Sequence, residues 1–135
     1  WAVRDAKSTN LQRLQIVKGW TVNGEHSEQV YDVACSDGMT VDPLTHRCPD
    51  NSAEVDLSDC SVTADVGAAE LKTVWKDPDF DASNRAFYYL RVLENPSCRW
   101  SSWDAIRAGE TPRTDIPATI QERAWSSPIW YEPAS

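Results

Sequence analysis

Two stretches constrain this chain more than any others: Ala86-Phe-Tyr-Tyr-Leu-Arg-Val-Leu-Glu94 and, close to the end, Arg123-Ala-Trp-Ser-Ser-Pro-Ile-Trp-Tyr131. Both alternate with a period of two and are rich in aromatic and β-branched side chains, which is the pattern of strands. A closing segment this apolar is not expected to fray, because leaving it in water forfeits about 1.5–3 kcal/mol for each large side chain. The chain therefore reads as a β-structure whose last strand belongs to the fold.

Other segments extend that reading. Leu11 to Thr21 forms a strand in which Leu14, Ile16 and Trp20 share a face, and Asn23-Gly24 is a hairpin turn. Glu28 to Cys35 returns, with Tyr31 and Val33 pointing one way. The polar, acidic stretch Ser36 to Asp59 is too long for an ordinary connection and needs tethering. Gly67 to Lys76 mixes a helical Ala-Ala-Glu-Leu-Lys run with strand-like alternation of Leu71, Thr73 and Trp75; strand is preferred for its second half, ended by Asp77-Pro78. Ser101-Ser-Trp-Asp104 reads as a helix start capped by Ser101, with Asp104 reaching back and Gly109 as the stop. Ala118 to Tyr131 is the final strand region, and Pro128 puts it at an edge or a bulge. The sum is an all-β sandwich of immunoglobulin-like or fibronectin-like character over residues 1–135, with about six to eight strands, one short helix and a tethered loop. Trp1-Ala-Val-Arg4 already reads as a strand, so the chain is expected to be the C-terminal part of a longer protein.

A net charge of −8 argues against nucleic acid and against anionic membrane surfaces, both of which call for clustered Lys and Arg. No apolar run is long enough to span a membrane, and the N-terminal residues do not read as a signal peptide. The four cysteines, Cys35, Cys48, Cys60 and Cys98, include no Cys-x-x-Cys pair, and only His46 lies near one of them. Disulfides lead over buried thiols and over a metal site, and they imply a periplasmic or secreted protein. Three connectivities are possible. The one favoured joins Cys35 to Cys60 at the base of the long loop and Cys48 to Cys98 at its tip.

Chemistry-bearing patterns are few. Asp77, Asp79 and Asp81 present carboxylates at alternate positions, as a calcium loop begins, but Ala82 and Tyr88 stand where an EF-hand needs glycine and a bidentate acid. A looser calcium site competes there with a solvated turn. His26 and His46 lie in separate polar turns and read as surface residues. Ser126 and Ser127 lack the Gly-x-Ser-x-Gly elbow of a nucleophile. Arg91, Arg99 and Arg123 sit beside aromatic residues, on which they can stack, or near acids such as Glu94 and Glu122. The seven tryptophans serve either the core and a domain–domain face or a sugar-stacking platform.

The blocks LQRLQIVKGW, VYDVACSDG, THRCPDN, GAAEL followed by DPDFD, AFYYLRVLENPSCRWSSWDAIRAG and PATIQERAWSSPIWY span essentially the whole chain. Together they resemble the C-terminal part of a bacterial family of unknown function. The N-terminal part of its longer members resembles metal-dependent hydrolases of the PHP (polymerase and histidinol phosphatase) and amidohydrolase type. The resemblance implies a β-sandwich accessory to a hydrolase, with phosphoesterase activity expected in a domain upstream of this chain. Divalent metals would belong to that domain; no cofactor, metal ligand or catalytic residue is carried over to this chain. Its own N-terminal hydrolase domain is the expected partner, with Trp1, Arg99, Trp100, Trp103 and Trp130 as contact residues, and a homodimer of the fragment is an alternative. The competing function is a carbohydrate-binding module that uses a Trp/Tyr platform.

Overall fold

In a computed structural model describing residues 1–134, the chain runs β1 (Ala2–Val3), β2 (Leu11–Val22), β3 (Glu25–Cys35), β4 (Glu70–Leu71), β5 (Arg85–Glu94), β6 (Ser97–Cys98), α1 (Trp100–Ala108), β7 (Thr119–Ile120), β8 (Arg123–Trp125) and β9 (Ile129–Tyr131). The main sheet is antiparallel, in the order β3-β2-β5-β8, with β9 also pairing β5. Two small sheets, β1/β4 and β6/β7, accompany it. The fold is all-β and sandwich-like, with one short helix and two disulfides.

The β2–β3 hairpin closes on Asn23 and Gly24 at φ 51° and 84°. Positive φ at both central residues is the turn whose twist matches paired strands. Two bulges then shape the sheet. Gln12 is an extra residue of β2 relative to β5, and Val33 an extra residue of β3 relative to β2. One inserted residue reverses the alternation, so Leu11 and Leu14 both reach the small core, where they meet Leu71 and pack with Ala2, Leu90 and Val92. The β1/β4 sheet therefore covers one end of one face of the main sheet.

The disulfides form as expected, but with a different pairing. Cys35 joins Cys48 and Cys60 joins Cys98, with Cα–Cα distances of 5.6 and 5.7 Å. The reason lies at the edge of β3. The Asp32 N–H donates to the His46 carbonyl at 3.0 Å, and the Cys48 N–H donates to Asp32 Oδ2 at 2.7 Å. The loop thus runs beside β3 and delivers Cys48 to Cys35. Buried amides hold the next part: Asn51 accepts from Gln12 Nε2 at 3.0 Å and donates to Asn95 Oδ1 at 2.9 Å, while Asn95 Nδ2 donates to the Val66 carbonyl at 2.9 Å.

Three further expectations need correcting. The helix begins at Trp100, with Arg99 as its extended N-cap and no side-chain cap. The Arg99 N–H is fixed to the Ala118 carbonyl at 2.9 Å, so the turn into the helix follows at once, and the Ser102 hydroxyl also goes to Ala118. Gly109 closes the helix as expected. Strand in the Gly67–Lys76 segment is confined to Glu70–Leu71, and residues 72–84 lie as an irregular strap. The final region is three short strands broken at Pro128. Ser126 bridges the break, its hydroxyl accepting the Leu90 N–H at 3.0 Å. This region is also far more exposed than its apolarity suggested: Trp125, Ile129 and Trp130 are 58, 72 and 70% accessible. Only β5 flanks β8 and β9.

The sequential pairing has a direct test. A single cut in the exposed 54–59 segment of the oxidised protein should yield two pieces that separate under denaturing, non-reducing conditions; the crossed pairing would leave them linked. Chemical denaturation should show that losing Cys60–Cys98, which spans 38 residues, costs roughly 1 kcal/mol more than losing Cys35–Cys48, which spans 13.

Candidate functional site

Cross-strand register sorts the main sheet into two unlike faces. On one, Ile16 lies between Tyr31 and Leu90, Lys18 between Gln29 and Tyr88, and Trp20 beside Ala86. The 72–84 strap covers this face. The Lys18 ammonium is buried there, 2.6 Å from Asp77 Oδ2 and 2.8 Å from the Asp79 carbonyl, with the Trp20 and Tyr88 rings at 5.0 and 5.9 Å. Tyr88 and Tyr31 donate their phenols to Asp77 and Asp79 at 2.7 and 2.8 Å, and the Trp75 ring packs against both tyrosine rings. Burial raises the pKa of both phenols, and their carboxylate acceptors raise it further, so each stays a protonated donor. Burial alone would raise Asp77 too, but Lys18, Tyr88 and the Asp79 N–H together hold it below the usual carboxylate range.

The three calcium candidates are therefore turned to separate tasks. Asp77 takes the Lys18 ammonium, Asp79 the Tyr31 phenol, and Asp81 a local turn with Ser83 and Asn84. Among the described residues, no group of three or more His, Cys, Asp or Glu is placed to hold a metal.

The opposite face is built in rows. Asp32, Gln15, Arg91 and Trp125 are in register; two residues along come Val30, Val17 and Tyr89; then Glu28, Gly19, Phe87 and Trp130; then His26, Thr21 and Arg85. The outer rows are polar and hydrogen-bonded. Arg91 Nε donates to Gln15 at 2.7 Å and Gln15 Nε2 to Asp32 at 2.6 Å, while Thr21 Oγ1 and His26 Nδ1 lie 3.1 Å apart. The inner rows are aromatic. The Phe87 and Tyr89 rings are within 6° of parallel at 6.4 Å, and Trp130 leans on Phe87 at 5.4 Å. Phe87 lies across Gly19, where a Cβ would come within 2.3 Å of the ring. Nothing but glycine leaves that floor flat. A groove of about 470 Å³ opens over Gly19, Phe87 and Trp130, and a shallower one runs on past Tyr89 to Trp125.

A family model described as "Protein of unknown function (DUF3604)" matches residues 1–133. The chain belongs to the DUF3604 family. No curated protein and no solved structure matches it.

In this DUF3604 domain the five expected contact residues do not form one patch. Trp1 stands beside β1, bonded through Nε1 to Glu70 at 3.2 Å, on the layer that covers the strap side of the sheet; Trp130 is on the opposite face. Trp100 opens the helix largely exposed, Trp103 stacks under Arg107 at 4.8 Å, and Arg99 donates to the Pro117 carbonyl. His26 lies on the surface, as expected, in the polar end row, whereas His46 is half-buried and packs edge-on against Tyr31 at 5.0 Å. Sequence reasoning missed Gly19, Phe87, Tyr89 and Trp125 as one surface. The available signal was the odd-numbered alternation of Phe87, Tyr89 and Arg91. Two disulfides are compatible with an extracellular or periplasmic protein, and among the described residues no helix is long and apolar enough to cross a membrane.

Removing the cation of the buried pair should hurt more than removing the pair. Lys18→Met leaves Asp77 uncompensated and is expected to cost about 3–5 kcal/mol in urea denaturation, most of it recovered when Asp77→Leu is added. Asp77's folded pKa lies below its unfolded one, so its contribution is full above about pH 4 and is lost as acid carries the pH through the folded value. Asp77→Asn should accordingly flatten the acid limb of the stability profile.

Proposed function

We propose that this chain is a non-catalytic accessory domain that packs on a PHP-like metal-dependent hydrolase domain of a longer protein, a phosphoesterase that is exported to the periplasm or beyond. One observation carries the reading. The second layer of the sandwich has as strands β1 and β4, two residues each, and this small sheet leaves Trp1 and Val3 exposed on its outside at 73 and 60%. A free-standing domain gains nothing by presenting large side chains on a layer too small to cover them, whereas a neighbouring domain buries them. Trp100, 74% exposed, adds a second aromatic anchor of the kind that dominates interfaces. Asp77, Asp79 and Asp32 are engaged in structural bonds with Lys18, Tyr31 and the Cys48 N–H, and the reading assigns metals and catalysis to the partner domain.

Co-expression with that hydrolase domain should yield a complex in which tryptophan fluorescence is less accessible to acrylamide and the melting temperature is higher. The Trp1→Ala/Trp100→Ala double variant should weaken association at least tenfold. No complex, or a complex indifferent to both changes, would overturn the proposal.

A further inference from the structure

The uncovered face of the main sheet has a chemistry of its own, distinct from the exposed patch on β1/β4. Its floor is aromatic: Phe87 reaching over Gly19, Tyr89 parallel to it, Trp130 packed at a tilt against it. One end is a row of hydrogen-bonding groups, His26, Thr21 and Arg85; at the other, Arg91, bonded to the buried Gln15, lies beside Trp125. Polar groups thus frame a narrow aromatic floor. That arrangement matches a sugar ring, which is apolar on its faces, where C–H groups stack on aromatic planes, and polar around its rim, where hydroxyls both donate and accept. The rim offers both capacities, Glu28 and Glu132 accepting and Arg85 donating. These charges are mixed, with Arg85 already 3.6 Å from Glu132, and the chain carries −8 overall. Both features disfavour an anionic polymer.

We infer that this face is a binding site for a neutral polysaccharide, its sugar units stacking in succession on Trp130 and Phe87 and then on Tyr89 and Trp125. The assignment goes beyond the accessory role and uses a different surface.

Native affinity electrophoresis of the oxidised chain through gels containing hydroxyethylcellulose, xyloglucan, galactomannan or glycogen tests it. Retardation by at least one of these is expected, unchanged between low and high salt. Trp130→Ala and Phe87→Ala should weaken it at least tenfold. Gly19→Ala, which displaces the Phe87 ring, should weaken it severalfold. Leu44→Ser, on a remote loop, should leave it intact. Trp130 is exposed, so near-UV circular dichroism should show its variant folded.

Free migration in all four gels would overturn the inference, as would retardation that survives Trp130→Ala. Salt-sensitive binding to heparin alone would do the same. So would concentration-dependent dimerisation that Trp130→Ala abolishes in a chain that binds no glycan, since the face would then belong to a second copy. If Trp130→Ala instead broke the hydrolase complex and no glycan bound, this inference would fail while the accessory role stood.

Discussion

The buried Lys18 ammonium is the constraint from which the asymmetry of the domain follows. It sits in the middle of the central strand β2, where a lysine can stay charged only if something brings it an anion and closes over it. The 72–84 strap does both, through Asp77 and the Asp79 carbonyl, while Trp20 and Tyr88 supply the aromatic walls. The position of the strap is thereby fixed, and with it the covered face of the sheet. The other face inherits no cover. Its flatness over Gly19 and its aromatic rows stay available because the polar strap is engaged on the opposite side.

The same economy runs through the rest of the molecule. The apolar core is small, centred on Leu11, Leu14 and Leu71, and nearly as many polar as apolar side chains are buried, among them Gln12, Gln15, Asp32, Asn51 and Asn95. Each of these reaches a partner on a different segment, so the polar interior specifies which loop lies where instead of only excluding water. Disulfides add what so slight a core cannot supply. They are sequential, not crossed, so each closes its own loop in the unfolded chain and their contributions should add.

What the sequence disclosed was local. Asn23-Gly24 marked the hairpin, Gly109 the end of the helix and Pro128 the break in the edge strand, because each acts on its own backbone. The alternation of β2 and β5 was equally legible. The cysteine pairing was not, since it depends on the loop aligning with the edge of β3 through Asp32, a contact between two segments that no local pattern in either one announces. The start of the helix went astray for a similar reason: the Ala118 carbonyl, not a serine cap, fixes Arg99. Burial of the last strand was inferred from its apolarity, yet apolarity states only what a segment gains by being covered. It does not say whether the cover lies within the same chain. The aromatic platform stayed hidden because its members come from β2, β5, β8 and β9, and only register brings them together.

The large apolar side chains left exposed or half-buried therefore fall into two groups with different physical demands. Trp1 and Val3 crown a layer of two short strands, a geometry that more protein completes. Phe87, Tyr89, Trp125 and Trp130 lie on a wide, continuous sheet, closed at one end by the Arg91–Gln15–Asp32 chain and edged at the other by the exposed His26, Glu28 and Arg85. A second apolar layer over that sheet would strip water from these exposed groups, at a cost that grows with each one left unpaired. A ligand able to hydrogen-bond to them while stacking on the rings avoids that cost. The two sets stay apart because the main sheet itself separates them, with the β1/β4 layer and the Lys18-held strap on one face and the aromatic rows on the other.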